Sequence, residues 1–325
     1  MRDLSVKDIP VSFEKLVGAM VGQKIERHSV VSLFSGCGGM DLGFLGGFPF
    51  SGKYYDRLPF QIEWSNDIDF DACETYRHNL KHDIVCGDVS EIDISQLPKA
   101  DVVLGGFPCQ DFSVSGKRRG FNSSRGMLYR LMVDAVKHCS PKIFIAENVK
   151  GLLSVPEAID TIKGDFSQAG YRVFHKLLNA RDYGIPQNRE RVIIVGVGDN
   201  TEFEWPEPEP REMSAKEALK DLERLDSGDM NGHFWSNAKR TNGQGQCPIG
   251  ADQPSVTIRA EHHGNIEFHY SLPRRLSVRE CARLQSFPDQ FEFVSSTSQN
   301  YRQIGNAVPP VMAWHIAKSV ARVLQ

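Results

Sequence analysis

The chain has 325 residues, of which 40% are hydrophobic and 24% charged, and its formal net charge is −3. That is the balance of a soluble globular protein with one full-sized core and room for a smaller second lobe. Seven cysteines, an odd number with no C-x-x-C pair and no partner at ligand spacing, exclude a disulfide framework and a structural metal centre and point to a reducing cytoplasm.

The first 28 residues contain a modest amphipathic run from Phe13 to Val21, with Ser12 as its N-cap. It is too charged for a signal peptide and too short for a membrane span, so we read it as a helix added ahead of the main domain. From residue 30 to 198, β-branched runs alternate with helical spacing, the pattern of an α/β sheet. Strands are expected at 30–34, 60–64, 83–86, 101–104, 142–146, 171–177 and 191–197, and helices at 71–79, 128–138 and 157–169. The last two strands follow one another with only a loop between, so the sheet is expected to finish in an antiparallel hairpin. Between Trp205 and Arg211, Pro206, Pro208 and Pro210 make a stiff connection that marks a boundary. Residues 212–272 are rich in Gly, Asn and His with weak periodicity, as in a loop-dominated lobe. Regularity returns from Leu276 and closes on a helix whose Met312, Ile316, Val320 and Val323 share one face.

The net charge conceals an uneven distribution. Lys117, Arg118, Arg119, Arg125 and Arg130 crowd one stretch with no acid among them, and residues 233–283 hold seven bases against four acids, after ten acids against four bases in 201–232. Two positive segments are what a nucleic-acid partner would need, although each alone reads equally as a solvated surface.

From Val30 to Phe44 the chain reads strand, then Gly36, Gly38 and Gly39, then a helix start. Glycines let a backbone pass close under a ligand, and a helix N-terminus offers free N–H groups. A tight turn in any α/β protein would look similar, and the spacing is not the G-x-G-x-x-G of dinucleotide sites. The second and third strands end near Asp67 and Asp88, placed either to meet a ribose and an adenine amine or to cap the helices that follow. Cys109 sits in a loop after the fourth strand, where a packing cysteine would not be. Glu147 ends the fifth strand on the same edge, where open α/β sheets hold their ligands.

At these residues the chain resembles the DNA cytosine-5 methyltransferases. The motifs FSGCGG (34–39), GGFPCQ (105–110), ENV (147–149), QNRERV (187–192), RECARLQSFP (279–288) and GNAVPP (305–310) occur in the family's order over nearly the whole chain from residue 30. The resemblance implies a Rossmann-like α/β sheet of the S-adenosylmethionine-dependent methyltransferases, ending in an antiparallel hairpin and carrying a small, loop-rich target-recognition domain. The expected division is an N-terminal helical extension at 1–28, a catalytic and cofactor-binding domain at 29–201, the target-recognition domain at 202–272 and a returning C-terminal segment at 273–325.

It also implies roles. Cys109 would add to C6 of cytosine so that C5 can attack the methyl group of S-adenosyl-L-methionine, leaving S-adenosyl-L-homocysteine, with no metal. Glu147 would hydrogen-bond the ring N3 and the exocyclic amine, and Arg191, with Arg189, would face the base O2 and that carboxylate, unless these arginines hold a phosphate or a structural ion pair. Phe34, Gly36, Cys37, Gly38, Gly39 and Met40 would surround the methionine portion of the cofactor, Asp67 its ribose, Ile68 its adenine face and Asp88 its adenine amine, and Asn306 would complete the pocket. Many family members carry Glu-Trp where this chain has Asp67-Ile68, a departure expected to weaken cofactor affinity.

C5 and C6 lie inside the base stack, so the cytosine must be rotated out of the duplex. The loop after Cys109 would close over it, with Lys117, Arg118 and Arg119 on phosphates and Ser115 and Gln244 filling the vacated space; Gln244 precedes Thr257 by a spacing some relatives share. Arg259 is a candidate for a guanine edge or for a phosphate, and His262 and His263 read as polar loop residues. The implied partners are double-stranded DNA and a cognate restriction endonuclease acting on the same site, with no membrane, for a monomer in a bacterial or phage-infected cytoplasm. A tRNA cytosine-5 methyltransferase of the same fold is the alternative, but the Cys-Phe-Thr signature of that subfamily is absent from the second lobe. A catalytically silent DNA-binding relative would not be expected to carry Pro108, Cys109, Glu147 and Arg191 together.

Overall fold

The structure, a computed structural model, describes residues 27–107, 126–198, 201–237, 248–260 and 267–325. In chain order the main elements are β1 (His28–Leu33), α1 (Gly39–Leu45), β2 (Phe48–Phe50), β3 (Lys53–Tyr55), β4 (Phe60–Asp67), α2 (Phe70–Leu80), β5 (Val85–Cys86) and β6 (Val102–Gly105). There follow α3 (Gly126–Cys139), β7 (Ile143–Val149), α4 (Pro156–Gln168), β8 (Arg172–Asn179), β9 (Glu190–Val197), α5 (Ala215–Leu219), α6 (Val278–Leu284), α7 (Thr297–Asn306) and α8 (Pro310–Val323).

Among the described residues seven strands form one sheet in the order β5-β4-β1-β6-β7-β9-β8. The pairings from β5 to β7 are parallel, and β9 runs antiparallel to both β7 and β8. The hairpin expected at the end of the sheet is present, with β9 inserted inside and β8 left as the edge. Apolar runs at Val102–Leu104 and 143–146, and the Val30–Val31 pair of β1, fit strands covered on both faces, and Val30, Val102, Leu104, Ile143 and Ile145 fall in one core while Val31, Val103, Phe144 and Ala146 fall in the other. The first core is closed by α1, α8 and the small β2–β3 hairpin, the second by α3 and α4. The expected third strand shrinks to Val85–Cys86 because it pairs along only two residues at the sheet's edge.

The packing of α1 on α8 depends on Gly43: a Cβ there would lie 2.4 Å from the Ala313 methyl and 2.5 Å from the Pro310 carbonyl oxygen. A third core joins Ala215, Leu219, Ile249 and Ile258 of the 202–272 segment to Leu276, Cys281, Leu284, Phe287 and Tyr301. The described residues of that segment hold little regular structure, and a bridge between Gln187 and Ser255 ties it to the chain entering β9.

Four of the seven cations of the second positive segment have partners within the fold. Arg279 is fully buried and donates to the carbonyls of Asn231, Pro288 and Phe291. Arg274 forms a bidentate pair with buried Glu280, Arg283 pairs with Asp289 and Asp221, and Arg275 lies 3.7 Å from the Tyr301 ring centre. These cations hold the lobe to α6 and α7, so their number in the sequence says little about DNA. Of the remaining cations there, Arg259 is exposed, while Lys239 and Arg240 lie outside the described residues.

Candidate active site

The strand ends of β1, β4 and β5 form an open cradle. After β1 the backbone turns through Phe34 at φ 56° and Gly36 at φ 56°, both in the left-handed region, and enters α1 from Gly38 at φ 92°. A side chain at Gly38 would also strike Leu80 at 2.7 Å, so the turn demands glycine there. Asp67 spans this turn: its Oδ2 accepts from the Gly36 N–H at 2.7 Å and its Oδ1 from the Asp69 N–H at 2.8 Å. Burial pushes the Asp67 carboxyl above the usual carboxylate range, and these backbone bonds pull it back. The shorter acid therefore braces the glycine turn directly.

Of the two capping alternatives, Asp88 takes one: its Oδ1 accepts from the Ser90 N–H at 2.9 Å at the start of a short turn, and the Ser90 bonds hold its pKa down. At β4 the cap is Asp69 and not Asp67, accepting from Asp71 and Ala72 at the start of α2. Ile68 is 67% exposed and Phe70 66% exposed, apolar surface flanking the cradle's mouth. A Cβ built on Gly36 or on Gly87 would meet nothing within 4 Å. A long ligand with an apolar ring at one end, hydroxyls near a carboxylate and a chain along the glycines fits these residues, and S-adenosylmethionine has that form. Cys37 and Met40 are buried behind the turn, Cys37 against Gln303, so they shape the wall from behind.

Beside this cradle, β7 and β9 present an ion pair. Register places Val149 opposite Arg191, and the Arg191 Nε lies 2.8 Å from Glu147 Oε1 with each side chain about one-eighth exposed, at 12% and 13%. The chain leaving β6 is fixed against this pair: a Cβ on Gly106 would lie 3.5 Å from Glu147 Oε2, and buried Asn148 donates to the Phe107 carbonyl at 3.0 Å. Cys109 itself, together with Ser115, Lys117, Arg118, Arg119, Gln244 and the N-terminal run, lies outside the described residues.

Arg189 goes elsewhere. It is 1% exposed, and its guanidinium donates to the carbonyls of Ile258 at 3.0 Å, Gly305 at 2.9 Å and Ala307 at 2.9 Å. Burial first, and the Arg191 charge second, pull it well below the ordinary arginine value. It thereby joins the strand carrying Arg191, the segment carrying Thr257 and Arg259, and the two peptides that flank exposed Asn306. Gln187 and Gln285 complete this knot: Gln187 accepts from the Ile258 N–H and donates to Gln285, which donates to Ala307. These two glutamines and Asn148 were within the quoted motifs but carried no assigned role. Their signal is an amide beside a functional residue in an otherwise apolar neighbourhood.

A cleft of about 550 Å³ opens between the sheet end and the 202–272 segment, lined by Val149, Lys150, Arg191, Thr257, Arg259 and Glu267, among others. Thr257 is anchored by its hydroxyl to the Asn188 carbonyl at 2.7 Å. Burial pushes the Glu267 carboxyl up to about 7, against the pull of Arg275 and Arg259. Among the described residues no cluster of His, Cys, Asp and Glu could hold a metal.

A profile for C-5 cytosine-specific DNA methylases matches residues 28–250 and 229–322. The chain belongs to that family. It is 38% identical to the type II methyltransferase M.NgoFVII of Neisseria gonorrhoeae over 90% of this chain and 86% of that protein. Identity to the type II methyltransferase M.FnuDI of Fusobacterium nucleatum is 36%, over 91% of this chain and 94% of that one. The fold matches the Entamoeba histolytica methyltransferase EhMeth with a TM-score of 0.71 at 18% identity, covering 93% of this chain and 100% of that chain. The protein is thus a C-5 cytosine DNA methyltransferase with the family's α/β fold, and the mostly parallel sheet with its inserted β9 is that fold's frame. Among the described residues no helix is long and apolar enough to cross a membrane.

Proposed function

We propose that the protein transfers a methyl group from S-adenosyl-L-methionine to C5 of a cytosine rotated out of a specific duplex sequence, through a transient bond from Cys109 to C6. The observation that carries this reading is the Glu147–Arg191 pair, held at the strand ends against Gly106 and Phe107. Cys109 follows Phe107 by two residues, so its chain starts from a point fixed beside the carboxylate.

In this reading the Cys109 thiolate adds to C6, which turns C5 into an enamine-like nucleophile. Glu147 shares a proton with N3 and accepts from the exocyclic amine, and Arg191 orients Glu147 while facing O2, so that charge developing on the ring meets fixed partners. When bound, the cofactor supplies an electrophilic sulfonium methyl. Phe34 and Gly36 to Met40 would surround its methionine portion, Cys37 and Met40 from behind the turn, while Asp67 would take its hydroxyls, Ile68 would face its ring, Asp88 would meet its amine and Asn306 would complete the wall. Removal of the C5 proton to solvent or a base then expels the Cys109 sulfur. Arg189 serves by holding Arg191, Thr257 and the Asn306 loop in one register.

The cleft lies within the size range of small-ligand sites, roughly 300–1,000 Å³, and its Lys150, Arg191 and Arg259 suit a phosphate-bearing partner. We assign target recognition to 202–272, with Thr257 and Arg259 at the DNA and Gln244 and Ser115 in the vacated space. Lys117, Arg118 and Arg119 grip phosphates. The catalytic frame then spans 29–201 and 273–325, with residues 1–28 an appended helix. We assign action as a monomer in a bacterial or phage-infected cytoplasm; likeness to bacterial type II methyltransferases supports that setting and an endonuclease of the same specificity. Tritium transfer from labelled S-adenosylmethionine to duplex DNA, with tRNA as the competing substrate, tests the reading. Counts in DNA that vanish in Cys109→Ala, with DNA binding retained, are expected; an active Cys109→Ala enzyme would refute the covalent route.

A further inference from the structure

We propose that Cys73 and Cys86 form a reversible disulfide that weakens cofactor binding, an oxidation site built into the adenosine end of the cradle. The proposal rests on reading that cradle as the S-adenosylmethionine site. Cys86 is exposed, whereas the other described cysteines, Cys37, Cys73, Cys139 and Cys281, are buried. It ends β5, directly in register with Asp67. Cys73 approaches the same residue from α2, its thiol donating to the Asp67 carbonyl at 3.4 Å. Two sulfurs thus border a single peptide, and that peptide carries the carboxylate bracing the glycine turn. The thiols interact with each other: burial raises the Cys73 pKa most, and Cys86 raises it next.

This pairing assigns the order of reaction. Cys86, in water, attacks first as its thiolate on a low-molecular-weight disulfide, and one sulfur of that disulfide leaves as a thiolate and takes up a proton. Cys73 then gives up its proton and attacks the Cys86 sulfur, expelling the second small thiol. Two protein thiols are oxidised to one disulfide, and one small disulfide is reduced to two thiols. The high Cys73 pKa makes the second step the slow one.

The consequence follows from what the Asp67 carbonyl holds. It accepts from the Gly87 N–H at 3.0 Å as well as from Cys73. A disulfide removes the Cys73 donor and draws the first turns of α2 toward β5, shifting Ile68 and Asp88 against Asp67. Binding and oxidation must then oppose each other in both directions, so bound cofactor slows disulfide formation.

The test treats the full chain with oxidised glutathione, then alkylates and digests it for mass spectrometry, and titrates S-adenosylhomocysteine by calorimetry before and after. A Cys73–Cys86 linked peptide is expected, with affinity at least about tenfold weaker, restored by dithiothreitol. Cys86→Ser is expected to keep its affinity through the same treatment, as is Cys73→Ala once its Cys86 glutathione adduct is reduced; Cys109 reacts alike in all three. Glutathione left on Cys86 of the wild-type protein without a linked peptide overturns the proposal, as does a linked peptide with unchanged affinity. Reduced protein that binds no S-adenosylhomocysteine removes the reading of the cradle and this proposal together.

Discussion

Replacing Arg189 with methionine separates holding from chemistry. In the native chain three carbonyls, those of Ile258, Gly305 and Ala307, receive their hydrogen bonds from this one guanidinium, which is 1% exposed. Methionine fills most of the volume but leaves the buried carbonyls of Ile258 and Gly305 without a donor, and that of Ala307 with Gln285 alone. Breaking a buried charged partner of this kind costs about 3–5 kcal/mol. At about 2 °C for each kcal/mol in a chain of this size, the melting temperature should fall by roughly 6–10 °C. Lysine should recover only part of this, because one ammonium cannot reach carbonyls served from both Nη1 and Nη2. Scanning fluorimetry measures the shift. The companion Arg191→Met should melt within about 2 °C of the native protein yet lose roughly 10²–10³ in kcat, since Arg191 pairs with one partly exposed carboxylate. If Arg189→Met melted like the native protein and lost only turnover, Arg189 would belong to the chemistry and the knot described for it would be wrong.

Asp67→Asn keeps the size but puts an amide donor against one of the two N–H groups that the carboxylate now serves, at Gly36 and Asp69. S-adenosylhomocysteine affinity should fall by about 10–100-fold, read by calorimetry, and unchanged affinity would count against the brace. Gly39→Ala would drive a methyl to 2.4 Å from the Val308 carbonyl oxygen. It should cost about 1–3 kcal/mol in urea unfolding; no shift in midpoint would show that the 305–310 segment yields freely. His315 is held down to about 4 by burial, although Glu209 pulls the other way. A folded pKa below the unfolded one means its contribution is present above about pH 6.5 and lost as pH falls toward 4. His315→Gln should therefore gain on the native protein by up to about 3 kcal/mol between those pH values, and a pH-independent difference would contradict the assignment.

Much of the frame was legible because the strands are read by simple rules. Val102–Gly105 and the first four residues of β7, at 143–146, are uninterrupted apolar runs, and Gly38 announces a turn that only glycine accepts. The β2–β3 hairpin escaped because three-residue strands around Ser51 and Gly52 carry no period. At the site, Glu147 was visible as an acid ending a buried strand, whereas Arg189 and Arg191, two residues apart in one motif, look alike. β9 begins only at Glu190, so Arg191 on the strand reaches Glu147 while Arg189, just ahead of it, enters a knot of carbonyls. The same limit explains the charge count: Arg274, Arg279 and Arg283 find their partners across the fold, through contacts no local pattern records. Likewise Cys73 and Cys86 meet only because α2 folds back on β5.

The most direct measurement is covalent capture on duplex DNA in which every cytosine is replaced by 5-fluorocytosine, which blocks release of the sulfur after methyl transfer. In the presence of S-adenosylmethionine a complex that survives denaturing electrophoresis is expected with the native protein and not with Cys109→Ala. Methyl transfer to ordinary duplex DNA without any captured complex, or capture undiminished in Cys109→Ala, would contradict a sulfur bonded to the base.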